Sequence, residues 1–194
     1  MVEPPDETWF DKLKEMERQA TEIWEYEVQL VPGLLQTRDY ARAVLESAPR
    51  QKLTRTVEDD LAVRMGRQGL LTKPEAPQFL FVLDEAVLLR SPTEPKVLAG
   101  QLEHLLRVAD LPNVMLQIIP LERGWHSMLS GPATLLKFDY GADDVVYVEP
   151  NGQGLLSYDP VTVRYITRRL DLLRSEALSG AETIQVIRSK LEST

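Results

Sequence analysis

Three carboxylates stand where apolar runs end. Asp84-Glu85 closes the run that begins at Phe79, and Glu149 closes another that begins at Val145, so two or three acids can meet at one edge of a sheet. Paired carboxylates do general acid–base work or hold a hard cation, although such acids more often cap loops or pair with arginines. Gly124-Trp125-His126-Ser127 puts an imidazole beside a hydroxyl. Sequence neighbours do not make a nucleophile and base pair, and no strained elbow motif surrounds Ser127, so the ordinary expectation for His126 is a solvated loop residue. If the chain is an enzyme, Asp84, Glu85, Glu149 and His126 are its catalytic set.

A binding reading suits the same residues better. Trp24, Tyr26, Trp125, His126 and Tyr147 cluster around expected strand and loop ends, and with Asp84 and Glu149 they can line an apolar pocket with a few polar anchors, as a small organic effector needs. The competing expectation is that these aromatics complete the core. No phosphate loop is present, and Gly152-Gln153-Gly154 lacks the third glycine and the strand-to-helix setting of a dinucleotide fingerprint, so it reads as a turn. With no Cys and two His, the chain offers no thiolate chemistry, no disulfide and no Cys-type zinc site. Neither a metal nor a cofactor is expected.

The elements that must position these residues are legible from periodicity. A helix from about Thr8 to Thr21 carries Trp9, Leu13, Met16 and Ala20 on one stripe. Ile23 to Val28 alternates as a strand, with Ile23, Glu25 and Glu27 on one face and Trp24, Tyr26 and Val28 on the other, the aromatic face expected to point inward. Pro32-Gly33 ends that ladder, because proline has no N–H to donate and glycine tolerates positive φ. Thr37 caps a helix beginning near Arg38, Ala48-Pro49-Arg50 breaks it, and Thr56 with Glu58 and Asp59 opens another to about Leu70 that turns Val57, Leu61 and Met65 inward.

Phe79 to Asp84 is apolar on both faces, the mark of a strand buried mid-sheet. Ser91-Pro92-Thr93-Glu94-Pro95 turns into a helix that runs to Asp110. Val114 to Ile119, Thr134 to Phe138 and Val145 to Glu149 are further strands, with Asp139-Tyr140-Gly141 and Asn151-Gly152 as turns, and the late strands form an antiparallel meander. Asp159 caps a helix with Val163, Ile166, Leu170, Leu173 and Ala177 on one stripe. Ser179-Gly180 closes it, and Ile184, Ile187 and Leu191 define the last helix. The expected fold is α+β: a central, mainly antiparallel sheet flanked by amphipathic helices, with a C-terminal helical pair hairpinned onto it.

Composition limits the partners. At 194 residues, with no repeat and no low-complexity linker, one domain spanning 1–194 is the default. No stretch approaches the roughly 20 apolar residues that span a bilayer, and the first residues lack the pattern of a signal peptide, so a cytoplasmic protein without membrane contact is expected. Twenty-two basic and 30 acidic residues leave a net charge of −8, which repels a phosphate backbone. Basic residues cluster weakly, at Arg64 and Arg67 and at Arg164, Arg168, Arg169 and Arg174, each interleaved with acidic or apolar positions. Direct nucleic-acid binding is not expected.

The run Tyr26-Glu27-Val28-Gln29-Leu30-Val31-Pro32-Gly33-Leu34-Leu35-Gln36-Thr37-Arg38-Asp39-Tyr40-Ala41-Arg42-Ala43-Val44 opens a series of motifs. Arg64-Met65-Gly66-Arg67-Gln68 with Leu71, then Leu83 to Leu88, Gln101-Leu102 with Leu105, Val114 to Pro120 with Gly124 and His126, then Gly131, Phe138 and Tyr147-Val148-Glu149 follow in order. Together they resemble the C-terminal domain of xenobiotic-response-element-type helix-turn-helix regulators of streptomycetes and relatives, a domain of unknown function often called antitoxin-like. The first motif lies near Met1, so the DNA-reading module is expected to be missing. The resemblance implies a domain that senses a ligand or binds a small partner protein, and it supplies no catalytic residues. It singles out Gln36, Arg64, Arg67, Gln68, Asp84, Glu85 and His126 as recurring polar positions, which a buried hydrogen-bond network explains as well as a site does.

The expected function is an effector- or partner-binding regulatory domain, with a ligand set of Trp24, Tyr26, Gln36, Arg64, Arg67, Gln68, Asp84, Trp125, His126 and Tyr147. One alternative is a stand-alone biosynthetic enzyme built on the carboxylates and His126. The other is a structural module that forms a homodimer through its C-terminal helices.

Overall fold

A computed structural model describes residues 8–47, 56–90, 94–139, 142–150 and 154–194. The expected break at Ala48-Pro49-Arg50, the turn at Asn151-Gly152 with Gln153, the Tyr140-Gly141 part of the turn that begins at Asp139 and the Ser91-Pro92-Thr93 part of the turn that ends at Pro95 lie outside the described residues. Among these residues six strands form one sheet: β1 (Glu22–Glu27), β2 (Gln78–Asp84), β3 (Val114–Ile119), β4 (Ala133–Lys137), β5 (Val145–Val148) and β6 (Leu155–Ser157). The helices are α1 (Thr8–Gln19), α2 (Arg38–Ser47), α3 (Val57–Arg67), α4 (Ala86–Leu89), α5 (Pro95–Ala109), α6 (Pro160–Glu176) and α7 (Gly180–Glu192). The fold is α+β, and among the described residues no helix is long and apolar enough to cross a membrane.

The strand order β3-β2-β1-β4-β5-β6 makes β1 the seam between two kinds of sheet. It pairs parallel with β2 (Ile23 opposite Phe79) and antiparallel with β4 (Ile23 opposite Leu136). β2 and β3 extend the parallel half, so the strand at Val114–Ile119 leaves the antiparallel meander expected of it, and β4 and β5 form that meander with β6, a strand the sequence did not announce. Parallel neighbours need helical crossovers, and α2 to α5 supply them between β1 and β2 and between β2 and β3. The sheet is therefore mixed, antiparallel in three of its five pairings.

Both faces are covered. Ile23, Phe79, Phe81, Leu83, Leu116, Ile118, Leu136 and Val145 pack beneath α1, α5, α7 and the 31–35 corner. On the opposite face Tyr26, Leu80, Val82, Ile119, Leu135 and Val146 pack with Leu170 and Leu173 of α6. The expectation that the aromatic side of β1 alone faces inward is thus too simple, because Ile23 is as buried as Tyr26. It follows that Glu25 and Glu27 alternate into a covered face.

The local start signals are confirmed in detail. The Thr56 hydroxyl accepts from Asp59 N–H at 3.1 Å while the Asp59 carboxylate accepts from Thr56 N–H at 2.8 Å, a reciprocal capping box. Thr37 Oγ1 accepts from Tyr40 N–H, and Asp159 from Thr162 N–H.

Ser179 does not close α6. It forms a second capping box with Glu182 and opens α7, because an acid three residues after a serine satisfies the serine's own N–H. The C-terminal pair straddles the sheet, α6 on one face and α7 on the other, and the 177–179 link crosses the β3 edge. There Leu178 N–H donates to Ile118 C=O at 2.8 Å, and Ile118 N–H donates to Thr183 Oγ1 at 3.1 Å.

Candidate functional site

The 31–36 corner is built from amides. Leu34 and Leu35 plunge into the core. Gln36, 2% exposed, donates to Val31 C=O at 2.7 Å and accepts from Arg64 Nη1 at 2.8 Å, while Gln68 donates to its carbonyl. Gln101 donates to Leu35 C=O and accepts from Thr37 N–H, both at 2.7 Å. Both buried glutamine side chains are thereby satisfied, which fixes the first turn of α2 and turns Arg64 of α3 toward the sheet.

Between this corner, α1 and the β1-β4-β5 half of the sheet lies a cleft of about 430 Å³. Strand alternation sets its floor. Glu25 and Glu27 point to the same side of β1, Thr134 stands opposite Glu25, and Tyr147 stands opposite Thr134. Tyr147 stacks on Trp9 of α1, with centroids 5.7 Å apart, and its hydroxyl donates to Glu149 Oε2 at 2.8 Å. At the wall, Arg67 grips Glu17 through two contacts of 3.1 and 2.5 Å and lies over the Phe10 ring. Glu17 is 4% exposed. A hollow beside β3 is larger, at about 660 Å³, but gathers no charges beyond Asp171 and Arg174.

The electrostatics of the cleft are unusual for a surface. Burial pushes the Glu25 carboxyl well above the ordinary range, the negative charge of Glu27 adds to this, and Arg67 partly opposes it. Burial likewise raises Glu27, with Glu149 as the second cause. The Tyr147 hydroxyl is raised by burial and then by Glu149, and burial lowers Arg64. Desolvation disfavours every charged form, acid and base alike.

A second polar group sits on the other face. Asp84, at the end of β2, accepts from Ala86 N–H at 2.9 Å through Oδ1, while its Oδ2 lies 3.5 Å from the Tyr26 hydroxyl and 3.8 Å from His126 Nε2. His126 Nδ1 accepts from Met128 N–H at 3.2 Å, so in the neutral ring Nε2 carries the hydrogen and faces Tyr26 at 3.4 Å and Asp84. Burial, then the Asp84 charge, raises the Tyr26 hydroxyl. The imidazole is not solvated as the sequence led one to expect: its side chain is 3% exposed. Tyr26, Asp84 and His126 form a buried trio that locks the 121–128 loop to the sheet.

A family model described as "Domain of unknown function (DUF5753)" matches residues 10–189. The chain belongs to that family. No curated protein matches it.

In this DUF5753 domain the expected ligand set divides. Gln36, Arg64, Arg67, Gln68 and Tyr147 gather at the cleft or its corner, joined by Glu149, whereas Tyr26, Asp84 and His126 lie on the opposite face. Trp24 covers Lys137, its centroid 4.6 Å from Nζ, and its N–H donates to Glu22. Trp125 is 89% exposed and is not part of the cleft. Of the expected catalytic set, Asp84 and His126 meet, Glu85 accepts from Leu121 N–H at 2.9 Å, and Glu149 is across the sheet. The four do not converge. Glu17, Glu25 and Glu27 were missed. Glu17 follows Leu13 by one helical turn, and Glu25 follows Ile23 by one strand repeat, so each had an inward-facing signal.

Proposed function

We propose that this DUF5753 domain is the effector-binding, antitoxin-like part of a helix-turn-helix transcriptional regulator, and that a small organic molecule occupies the cleft. The observation that carries this reading is the cleft itself: about 430 Å³, walled by Phe10, Leu30 and Tyr147, with Glu25, Glu27, Glu149 and Arg64 converging on it. Ligand sites combine apolar walls with a few placed polar groups in this way. The net charge of −8 supports a domain that acts without gripping DNA itself.

The test is thermal unfolding with a metabolite library. A ligand at a hundred times its Kd stabilises the folded state by about 2.7 kcal/mol, on the order of 5–10 °C for a chain of this size. Leu30→Trp, which fills the mouth from an exposed position, removes the shift. No stabilising compound from a broad library defeats the reading.

The dimerisation alternative draws on one observation: α6 leaves Val161, Tyr165 and Leu172 exposed along one side, with Tyr158 just before it. Light scattering that returns a monomer at micromolar concentration removes that alternative.

A further inference from the structure

The cleft holds more acid than base. Glu17 and Arg67 satisfy each other in their two-pronged pair, which leaves Glu25, Glu27 and Glu149 facing Arg64. Arg64 donates to the neutral Gln36 amide and forms no ion pair with a described residue. Glu149 receives the Tyr147 hydroxyl, Glu27 receives the Val28 N–H, and Glu25 has no hydrogen-bond donor among the described residues. A recessed carboxyl is costly to keep charged without a cation beside it.

We infer, resting on the cleft being the ligand site, that its ligand is an organic ammonium: a molecule with an apolar body against Phe10, Leu30 and Tyr147 and a protonated amine set among Glu25, Glu27 and Glu149. Three reasons select this class. A protonated primary amine has three donors and no acceptor, which matches a wall of acceptors. An anion brings charge of the same sign to three acids, and a neutral molecule does nothing to offset the cost of charging them. The raised carboxyls add a signature. Burial raises the Glu25 and Glu27 carboxyls, an ammonium beside them favours their charged forms, and binding within the raised range therefore releases protons. Among the described residues the charged or titratable groups that act on them are Glu17 of α1, Tyr26 of β1, Tyr40 of α2, Arg64 and Arg67 of α3, and Tyr147 and Glu149 at the end of β5.

Benzylamine and phenethylamine, benzyl alcohol, and phenylacetate are titrated at millimolar concentration into the full chain, followed by amide NMR shifts and thermal unfolding. The expected result is that the amines bind at residues of the cleft, more tightly as pH rises through the raised carboxyl range, with proton release seen by calorimetry in two buffers of different ionisation heat. The double variant Glu25→Gln with Glu27→Gln stays folded and loses about tenfold or more in amine affinity.

Amines that bind the double variant as well as the parent overturn the inference. Alcohol or carboxylate binding in the cleft without amine binding overturns it too, while leaving the cleft as a site. No binding by any of the three classes removes both.

Discussion

Glu25 is a carboxyl whose charge the fold opposes, and this has a pH consequence of definite sign. Its folded value is raised from 4.5 to about 8, and that of Glu27 to about 7. Between those limits the folded state keeps protons that the unfolded chain has released, so stability falls as pH rises through that window. Glu15, Glu58, Asp159 and Glu182 are shifted the opposite way, below their ordinary values, and act on the acid side of it. Urea unfolding from about pH 5 to about pH 9 shows a decline in the parent that Glu25→Gln flattens; equal slopes refute the assignment. Glu17 behaves differently because it is paired. Arg67→Ala leaves a buried carboxylate without its guanidinium and costs about 3–5 kcal/mol, whereas the double change Glu17→Leu with Arg67→Met comes close to neutral, a contrast that denaturant midpoints can read.

At the scale of elements, close approach of α1 to the residue before β6 makes a sharp prediction. A Cβ built on Gly154 comes within 2.2 Å of the Trp9 ring, so Gly154→Ala forces Trp9 off Tyr147, with a loss of about 1–3 kcal/mol and a change in tryptophan fluorescence. Unchanged emission and stability refute it.

What the sequence disclosed about elements follows from range. Caps at Thr37, Thr56 and Asp159, the helical stripes and the doubly apolar β2 are set by residues three or four apart, and all were legible. β6 has three residues, too few for an alternation. The parallel half of the sheet depends on β1 meeting β2 some 56 positions later, which no local pattern encodes. Ser179 was misread because the Ser-Gly pair was weighed and Glu182 was not. The cleft was half legible for the same reason: Gln36, Arg64, Arg67 and Tyr147 stood in recognisable motifs, whereas Glu25 and Glu27 become anomalous once Ile23 beside them is known to be buried.

At the scale of the molecule, the 177–183 strap decides whether the sheet has an open edge. β3 is the outer strand of the parallel half, and unpaired edge strands invite association with other chains. Here Leu178 and Thr183 take the Ile118 carbonyl and N–H, and Gln117 Nε2 donates to Leu178 C=O at 2.9 Å. Behind the strap, Ile187 is fully buried with Leu178, Val186 and Leu191 packed about the same core. Burying each large apolar side chain contributes roughly 1.5–3 kcal/mol, and a whole domain is stable by about 5–15 kcal/mol. Truncation after Glu176 therefore removes most of the margin and uncovers β3 together with the α5 face. The expected outcome is a chain that aggregates or unfolds without a cooperative transition, while Ser179→Ala in the full chain, which loses one cap, costs about 1 kcal/mol and remains cooperative. A soluble, cooperatively folded 1–176 chain contradicts the role given to the strap.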